Sequence, residues 1–292
     1  MAHVFMEDLI DQQQWLEPTG DALQQAIGKV VPREGPVRRI KDFLHGTWLG
    51  HPLHPALTDV PTGAWTASFI LDIASLGGNT PLRRGADFTL KLGVVGAIGS
   101  ALSGLADWQE TYGRERRVGL LHALLNSTAL TFYTASWLLR KSKRRGTAVF
   151  FSTLGYGTVV IAAYIGGELV FGQGVGVNHA AWLQGSEEFT TVLDESALQP
   201  EQPRRVMVGD TPVVLVKQHG KIYALTAVCT HAGGPLDEGT LEDGTIVCPW
   251  HGSRFCLKDG SVQGGPATFA ERPFEVRIRN GKIELRRSEV HV

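Results

Sequence analysis

CTHAGGPL at residues 229–236 and CPWHGS at residues 248–253 are the two stretches that decide the fold of the C-terminal third of this chain. Each contains one cysteine and one histidine, spaced C-x-H in the first stretch and C-x-x-H in the second, and sixteen residues separate the two pairs. Thiolate and imidazole groups are common ligands of iron and zinc. Gly233, Gly234 and Gly252 allow the backbone to approach a bound group closely and to direct N–H groups at it. The pattern predicts two loops that hold one metal centre from two sides.

The donor set is compatible with more than one kind of centre. In a Rieske centre, one iron of a [2Fe–2S] cluster is bound by two thiolates and the other by two neutral imidazoles. Each loop can supply one ligand of each kind: Cys229, His231, Cys248 and His251. A structural zinc site could use the same side chains, but its ligands within one loop are usually separated by two or more residues. Buried cysteines with incidental histidines are a third interpretation. Spacing and flanking residues together favour the [2Fe–2S] cluster.

Short β-type runs surround the two loops from about residue 188 onward. Turn signals separate these runs, for example Asp243-Gly244 and Asn280-Gly281. Asn-Gly between two short strands is the dipeptide favoured in tight hairpins. The pattern predicts a small all-β domain that carries the metal centre.

Residues 189–287 resemble a complete Rieske domain of the ferredoxin type. The resemblance rests on the two ligand stretches and on Gly264-Gly265-Pro266, which falls where such domains carry a proline-containing loop over the cluster. It implies that the two cysteines bind the buried iron and that the two histidines bind the outer iron near the surface. The residues that it places next to the cluster are Ser253, Gly252 and Pro266.

Two departures from the family pattern concern the surroundings of the cluster. Rieske proteins of the quinol-oxidising complexes have a second cysteine pair that forms a disulfide between the cluster loops. This chain has only three cysteines, and Ala232 and Trp250 occupy those places. The family also uses a serine and a tyrosine as hydrogen-bond donors to the cluster; Ser253 keeps the hydroxyl, whereas Phe255 lacks it. Because fewer donors stabilise the reduced state less, we expect a potential between the two classes and nearer the ferredoxins.

Four segments poor in charge precede the β domain, each roughly the 20 residues that an α-helix needs to cross a bilayer. They lie at residues 56–76, 86–106, 118–140 and 147–171. Their many glycines would let membrane helices pack closely. A soluble bundle is the alternative, favoured by Asp59, Asp72 and Lys91 inside the segments, because charges in lipid are unfavourable. These acids could pair with Lys91 or serve proton movement. No internal repeat is apparent.

The predicted fold class is a multidomain membrane protein with an α-helical four-span transmembrane bundle and a small all-β Rieske domain. The predicted boundaries are a soluble or interfacial helical segment at 1–45, the four-helix transmembrane domain at 46–180, a linker at 181–188 and the Rieske domain at 189–292. Residues 45–180 also resemble a small bacterial four-helix membrane family of unknown function, which implies no activity. That resemblance rests on His51-Pro-Leu-His54-Pro, Pro61-Thr-Gly63, Asp72 and the Gly-Gly-Glu-Leu-Val170 run.

Most histidines outside the β domain are predicted to gather at one membrane face. His45, His51 and His54 lie before or at the start of the first span, His122 lies in the first turns of the third, and His179 follows the fourth. Two inward histidines on facing helices can bind a b-type haem, and His54 and His122 are the candidates. The alternatives are hydrogen-bonding roles for these side chains, or a quinone pocket on the same face.

The predicted function is that of a membrane-anchored electron-transfer protein with a Rieske [2Fe–2S] cluster. An oxygenase would need a second iron site with two histidines and a carboxylate. Only His291 follows His251 in the remaining 41 residues, so we expect an oxidoreductase or electron-transfer component rather than an oxygenase. A quinol- or haem-linked oxidoreductase with a site in the bundle, and a redox sensor, are the alternatives.

The expected partners are redox donor or acceptor proteins or quinone, together with the lipid bilayer. The net charge of −1 argues against binding to nucleic acid. The expected location is the cell membrane, with several spans. Because the cluster loops lack a disulfide, the β domain is expected in the cytoplasm.

Overall fold

The computed structural model describes residues 10, 12–30 and 36–289. These residues form two compact units. The helical unit contains the described residues up to Arg38 together with Leu53–Val175. The β unit contains Arg39–Pro52 and the described residues from Gly176 onward. A short segment that precedes the long helices in sequence therefore belongs to the β unit.

In the described part of the chain, six α-helices account for most of the residues before the β unit's strands. They are α1 (Leu16–Val30), α2 (Pro36–His45), α3 (Leu53–Ala74), α4 (Thr80–Trp108), α5 (Gly113–Lys141) and α6 (Arg145–Gly167). Asn79 caps α4, because its side chain accepts a hydrogen bond from the Leu82 N–H at 3.2 Å. Among the described residues, Thr80–Trp108 and Arg145–Gly172 are long and apolar enough to cross a membrane. A bundle with four spans therefore stays a prediction.

The long helices form two hairpins, α3–α4 and α5–α6, that make the same contacts within themselves. Three side chains on the first helix of each hairpin contact the second helix. A histidine donates from Nδ1 to a backbone carbonyl, and a serine hydroxyl donates to another carbonyl. Between them, an aromatic ring lies against a glycine. These residues are His54, Trp65 and Ser68 in α3, and His122, Tyr133 and Ser136 in α5. Their partners are Ser100, Gly93 and Ala86 in α4, and Ala162, Gly155 and Ala148 in α6.

The spacing of these contacts reveals an internal repeat. Each α5 residue follows its α3 counterpart by 68 positions, and each α6 partner follows its α4 counterpart by 62. Counterparts also meet each other: the rings of Trp65 and Tyr133 stack at 4.0 Å, and Asp72 pairs with Arg140, its equivalent. Residues that meet their own equivalents lie on a two-fold axis. The expectation of no internal repeat is wrong. The histidine, serine and glycine of these contacts recur at the same spacing, whereas Trp65 and Asp72 correspond to Tyr133 and Arg140.

A buried ion-pair network lies at one end of this pseudo-two-fold axis. Asp72, only 2% exposed, pairs with Arg140 and with Arg145, and Asp87 pairs with the same two arginines. The two acids and two arginines neutralise one another. Asp72 therefore pairs with these arginines rather than with Lys91.

The described residues of the β unit form ten strands in three antiparallel sheets, as expected of an all-β domain. The strand orders are β1-β10-β9, β2-β3-β4 and β5-β6-β7-β8. The strands are β1 (Thr190–Asp194), β2 (Arg204–Val208), β3 (Thr211–Gln218), β4 (Lys221–Thr226), β5 (Thr240–Glu242), β6 (Thr245–Val247), β7 (Arg254–Cys256), β8 (Val262–Gly264), β9 (Phe274–Arg279) and β10 (Lys282–Arg287). Asn280-Gly281 joins β9 to β10 with positive φ at both residues, as the tight hairpin requires. Cys229 and Cys248 lie in one of the two hydrophobic cores of this unit.

Candidate metal centre

The two predicted ligand loops fold as the same turn. In the first loop, which follows β4, the Cys229 carbonyl accepts from Gly233 N–H at 2.8 Å, and Cys229 N–H donates to the Gly234 carbonyl. In the second, between β6 and β7, Cys248 makes the equivalent bonds with Gly252 and Ser253. Gly233 and Gly252 have φ of 79° and 74°, a region that glycine enters without strain. The turns match even though the histidine of each loop follows its cysteine at a different spacing.

The two cysteines lie on the inside of the loops and contact each other. Both are buried, and the Cys229 thiol donates a hydrogen bond to Cys248. This bond lowers the pKa of Cys248 to about 7, and the backbone N–H groups of Trp250 and His251 act in the same direction. The same pairing, together with burial, raises the pKa of Cys229 well above its ordinary value. The backbone N–H of His231 also donates a hydrogen bond to the Cys229 sulfur. Backbone donors are thus aimed at both sulfurs, as a thiolate pair requires.

The two histidines lie side by side. Their ring centroids are 4.8 Å apart and their planes are nearly perpendicular. His251 is 7% exposed and His231 is half-buried. Trp250 is 50% exposed and stands edge-on to His251 at 6.5 Å. His231 and the indole of Trp250 therefore form the accessible edge of the site.

The predicted neighbours of the cluster have identifiable positions. Ser253 is fully buried, and its Oγ accepts a hydrogen bond from Ala267 N–H at 3.0 Å. The hydroxyl proton of Ser253 is not used in this hydrogen bond, so it can be donated towards the cluster site. Pro266 follows a cis peptide bond from Gly265. Gly252 supplies the turn described above. Phe255 is buried in the core and has no hydroxyl to offer.

Sequence reasoning missed two residues that support the first loop. Glu271 is fully buried, and its Oε1 accepts Thr230 N–H at 2.7 Å. The Thr230 hydroxyl donates to the Phe269 carbonyl at 2.7 Å. Burial raises the pKa of Glu271 well above its ordinary value. No sequence signal marks Glu271, because its partner is 41 positions away and nothing in its neighbourhood has a ligand pattern.

The donor set of this arrangement fits a two-iron cluster. Two adjacent thiols lie inside and two adjacent imidazoles lie outside. Within the part of the chain that the structure describes, no group of three or more His, Cys, Asp or Glu side chains is placed to hold one metal ion. A [2Fe–2S] cluster needs two protein ligands on each iron, with sulfides completing the coordination.

The histidines predicted to gather at one membrane face belong to two different units. His45, His51 and His179 belong to the β unit, whereas His54 and His122 belong to the helical unit. The ring centroids of His54 and His122 are 6.2 Å apart. Each Nδ1 bonds a carbonyl on its own hairpin, at 2.8 Å for His54 and 2.9 Å for His122. Asn126 Nδ2 lies 3.2 Å from His122 Nε2.

Comparison with known families identifies two regions. Residues 188–276 match the Rieske [2Fe-2S] domain family. Residues 50–179 match a family described as a predicted membrane protein, DUF2231. The first region contains both ligand loops, and the second contains both helical hairpins.

Individual relatives match about a third of this chain. Apoptosis-inducing factor 3 from Mus musculus is 36% identical over 99 residues, which are 34% of this chain and 16% of that protein. Ferredoxin CarAc from Metapseudomonas resinovorans is 36% identical over 93 residues, 32% of this chain and 87% of that protein. Among solved structures, the ferredoxin of carbazole 1,9a-dioxygenase from Nocardioides aromaticivorans IC177 is 25% identical, with 34% of this chain and 98% of that chain covered and a TM-score of 0.33. The chain therefore spans a small part of the first relative and nearly all of the ferredoxins.

Proposed function

Because the chain belongs to the Rieske [2Fe–2S] family, we propose that it is a membrane-anchored electron carrier whose cluster is bound by Cys229, His231, Cys248 and His251. The observation that carries this proposal is the pair of equivalent turns, which place two thiols together inside and two imidazoles together outside. The cluster supplies a one-electron redox centre when bound. The two turns orient its ligands, and the surrounding core excludes water from the cysteines.

Anchoring in the membrane is supported by the DUF2231 match and by the two apolar helices α4 and α6. We propose that α3 and α5 also span the bilayer, giving four spans. Their charges oppose this arrangement less than the sequence suggests, because Asp72 is neutralised by Arg140 and Arg145. The β unit is proposed to be cytoplasmic and to exchange electrons with redox proteins or quinone. A reporter fused after the C-terminus tests the side: an exported alkaline phosphatase that is active there would contradict it.

The cluster assignment is tested by iron and sulfide analysis of the full chain purified in detergent. We expect two irons and two acid-labile sulfides per chain, with the EPR signal of a reduced mixed-ligand cluster. Cys248→Ser should lose the cluster, whereas Cys256→Ser should keep it, since Cys256 lies outside both loops. A single metal ion without sulfide would refute the proposal.

A second redox group in the bundle is favoured by one observation, the placement of His54 and His122. The two imidazoles lie next to each other in the helical unit, with ring centroids 6.2 Å apart. Two such side chains would hold a haem iron, which would supply a second one-electron redox centre. Both Nδ1 atoms donate to carbonyls, so Nε2 is the nitrogen that would bind a metal. At His122 this nitrogen accepts a hydrogen bond from Asn126 Nδ2 at 3.2 Å, and the amide would have to turn away for a haem to bind. We propose that this pair binds a b-type haem.

An oxidised-minus-reduced optical spectrum of the full chain tests the haem. Sharp, intense bands should accompany the broad, weak bands of the cluster. His54→Ala and His122→Ala should each abolish the sharp bands only, while Cys248→Ser should abolish the broad bands only. Broad bands alone in the wild-type protein would mean that the two histidines join helices and bind no haem.

A further inference from the structure

We infer that Arg39–Pro52, which we term the cap segment, holds the loop of residues 264–271 (the proline loop) against the cluster, with Asp42 as its positioning residue. This inference rests on the proposed function for the cluster itself. The cap segment belongs to the β unit although more than a hundred residues separate it from β1. The Rieske match begins at residue 188, so the family does not supply this element.

The cap segment contacts the proline loop at two places. The Asp42 Oδ1 accepts a hydrogen bond from Gly265 N–H at 2.9 Å. The ring of His51 stands edge-on to the ring of Phe269, with centroids 6.3 Å apart. At Gly265 there is no room for a side chain, because a Cβ would lie 2.9 Å from Thr47 Cγ2. Side chains of the cap segment therefore pack directly against the Gly265 backbone.

Asp42 is held in place by the end of α2. Its carbonyl accepts from Gly46 N–H at 3.2 Å and from the Thr47 hydroxyl at 3.0 Å. Gly46 has φ of 90°, the left-handed conformation that ends helices. An acidic side chain in the last turns of a helix is disfavoured by the helix dipole. The contact with Gly265 accounts for an aspartate at this unfavourable position.

The proline loop in turn contacts both ligand loops. Ala267 N–H donates to Ser253 Oγ, two residues after His251. Thr230, between Cys229 and His231, donates its hydroxyl to Phe269 O and its N–H to Glu271. A continuous set of contacts thus runs from Asp42 through the proline loop to both halves of the metal centre. Without the Asp42 contact, the proline loop can move away and admit water and chelators to the cluster.

The test compares Asp42→Ala, Asp42→Asn and the control Asp194→Ala in the full chain. Asp194 is an exposed acid of the β unit whose ion pair is with Lys282, away from the ligand loops. Iron loss to a chelator, the midpoint potential and the EPR line shape are measured for each. We expect Asp42→Ala to lose iron about tenfold faster, since a hydrogen bond to a carboxylate is removed. Its potential should rise, because a nearby negative charge is lost and solvent access increases.

Asp42→Asn retains an acceptor oxygen and should lose iron within about twofold of the wild-type rate. An Asp42→Ala protein that matches wild type and Asp194→Ala in all three measurements would overturn the inference. Hydrogen exchange on the unchanged protein gives a second measurement if Asp42→Ala does not fold. Gly265 N–H should then be protected, and rapid exchange at Gly265 would equally overturn it. Absence of a cluster in the wild-type chain would instead refute the proposed function.

Discussion

Replacing Ser253 by alanine tests both halves of the role assigned to this side chain. Ser253 is 0% exposed, and its Oγ accepts Ala267 N–H at 3.0 Å. Because alanine provides no acceptor, the change leaves a buried backbone N–H without its partner. It also removes the hydroxyl proton that we expect to be donated towards the cluster. Stability and potential should therefore both change.

The two magnitudes follow from separate hydrogen bonds. An unsatisfied buried N–H costs about 1–3 kcal/mol, so the free energy of unfolding should fall by roughly that amount. A donor that stabilises the reduced cluster by about 1 kcal/mol more than the oxidised cluster raises the potential by roughly 40 mV, because about 1.4 kcal/mol corresponds to about 59 mV for one electron. Ser253→Ala should lower the potential by several tens of millivolts.

The assay is a redox titration followed by EPR, together with thermal unfolding followed by the visible circular dichroism of the cluster. Ser261→Ala is the matched control. The Ser261 hydroxyl bonds to the side chains of its neighbours Asp259 and Gln263, outside both ligand loops. An unchanged potential would refute donation from Ser253 to the cluster. An unchanged unfolding temperature would refute the need for an acceptor at Ala267 N–H.

Three further predictions concern other sites. Arg140→Leu should destabilise the helical unit by about 3–5 kcal/mol, because it leaves excess buried negative charge at Asp72. Thermal unfolding in detergent measures this loss, and the double variant with Asp72→Leu should recover much of it. Glu271 has a raised pKa in the folded state, so the unfolded chain loses its proton first and stability should fall as pH rises above the ordinary value of 4.5. Glu271→Gln should flatten the slope of stability against pH above pH 4.5 in unfolding curves, and an unchanged slope would contradict an uncharged buried acid. His251→Cys should keep iron but alter the EPR and optical spectra; a fully wild-type spectrum would remove His251 from the ligand set.

The family and the cofactor could be predicted from sequence because their signals are local. Cys229 and His231 are two positions apart, and the turn that presents them needs a glycine at Gly233 for its positive φ. Such patterns can be recognised in the sequence, because the residues that act together are close to each other in the chain. The Rieske match and the ferredoxin relatives confirm the predicted family and the [2Fe–2S] cofactor. The choice of individual ligands stays a prediction.

The internal repeat shows what a linear reading loses. Trp65 and Tyr133 are equivalent, as are Asp72 and Arg140, yet neither pair shares a residue type. Packing selects for complementary partners across a two-fold axis, so a stacked pair or an ion pair can replace an identical pair. The histidine and serine positions recur in the sequence after 68 residues and the glycine position after 62, but these scattered identities are recognised as a repeat when each contact is compared with its equivalent.

The sequence by itself determined the β fold of the C-terminal third, the family and the kind of cofactor, because turns, hairpins and ligand spacing depend on residues close together in the chain. Only the tertiary structure decided which distant groups support the site. Asp42 and Gly265 are 223 positions apart, and Glu271 meets Thr230 across 41. A buried acceptor bonds to whichever donor the fold brings to it. Because that donor can lie anywhere in the chain, the pairing cannot be predicted from a local sequence pattern.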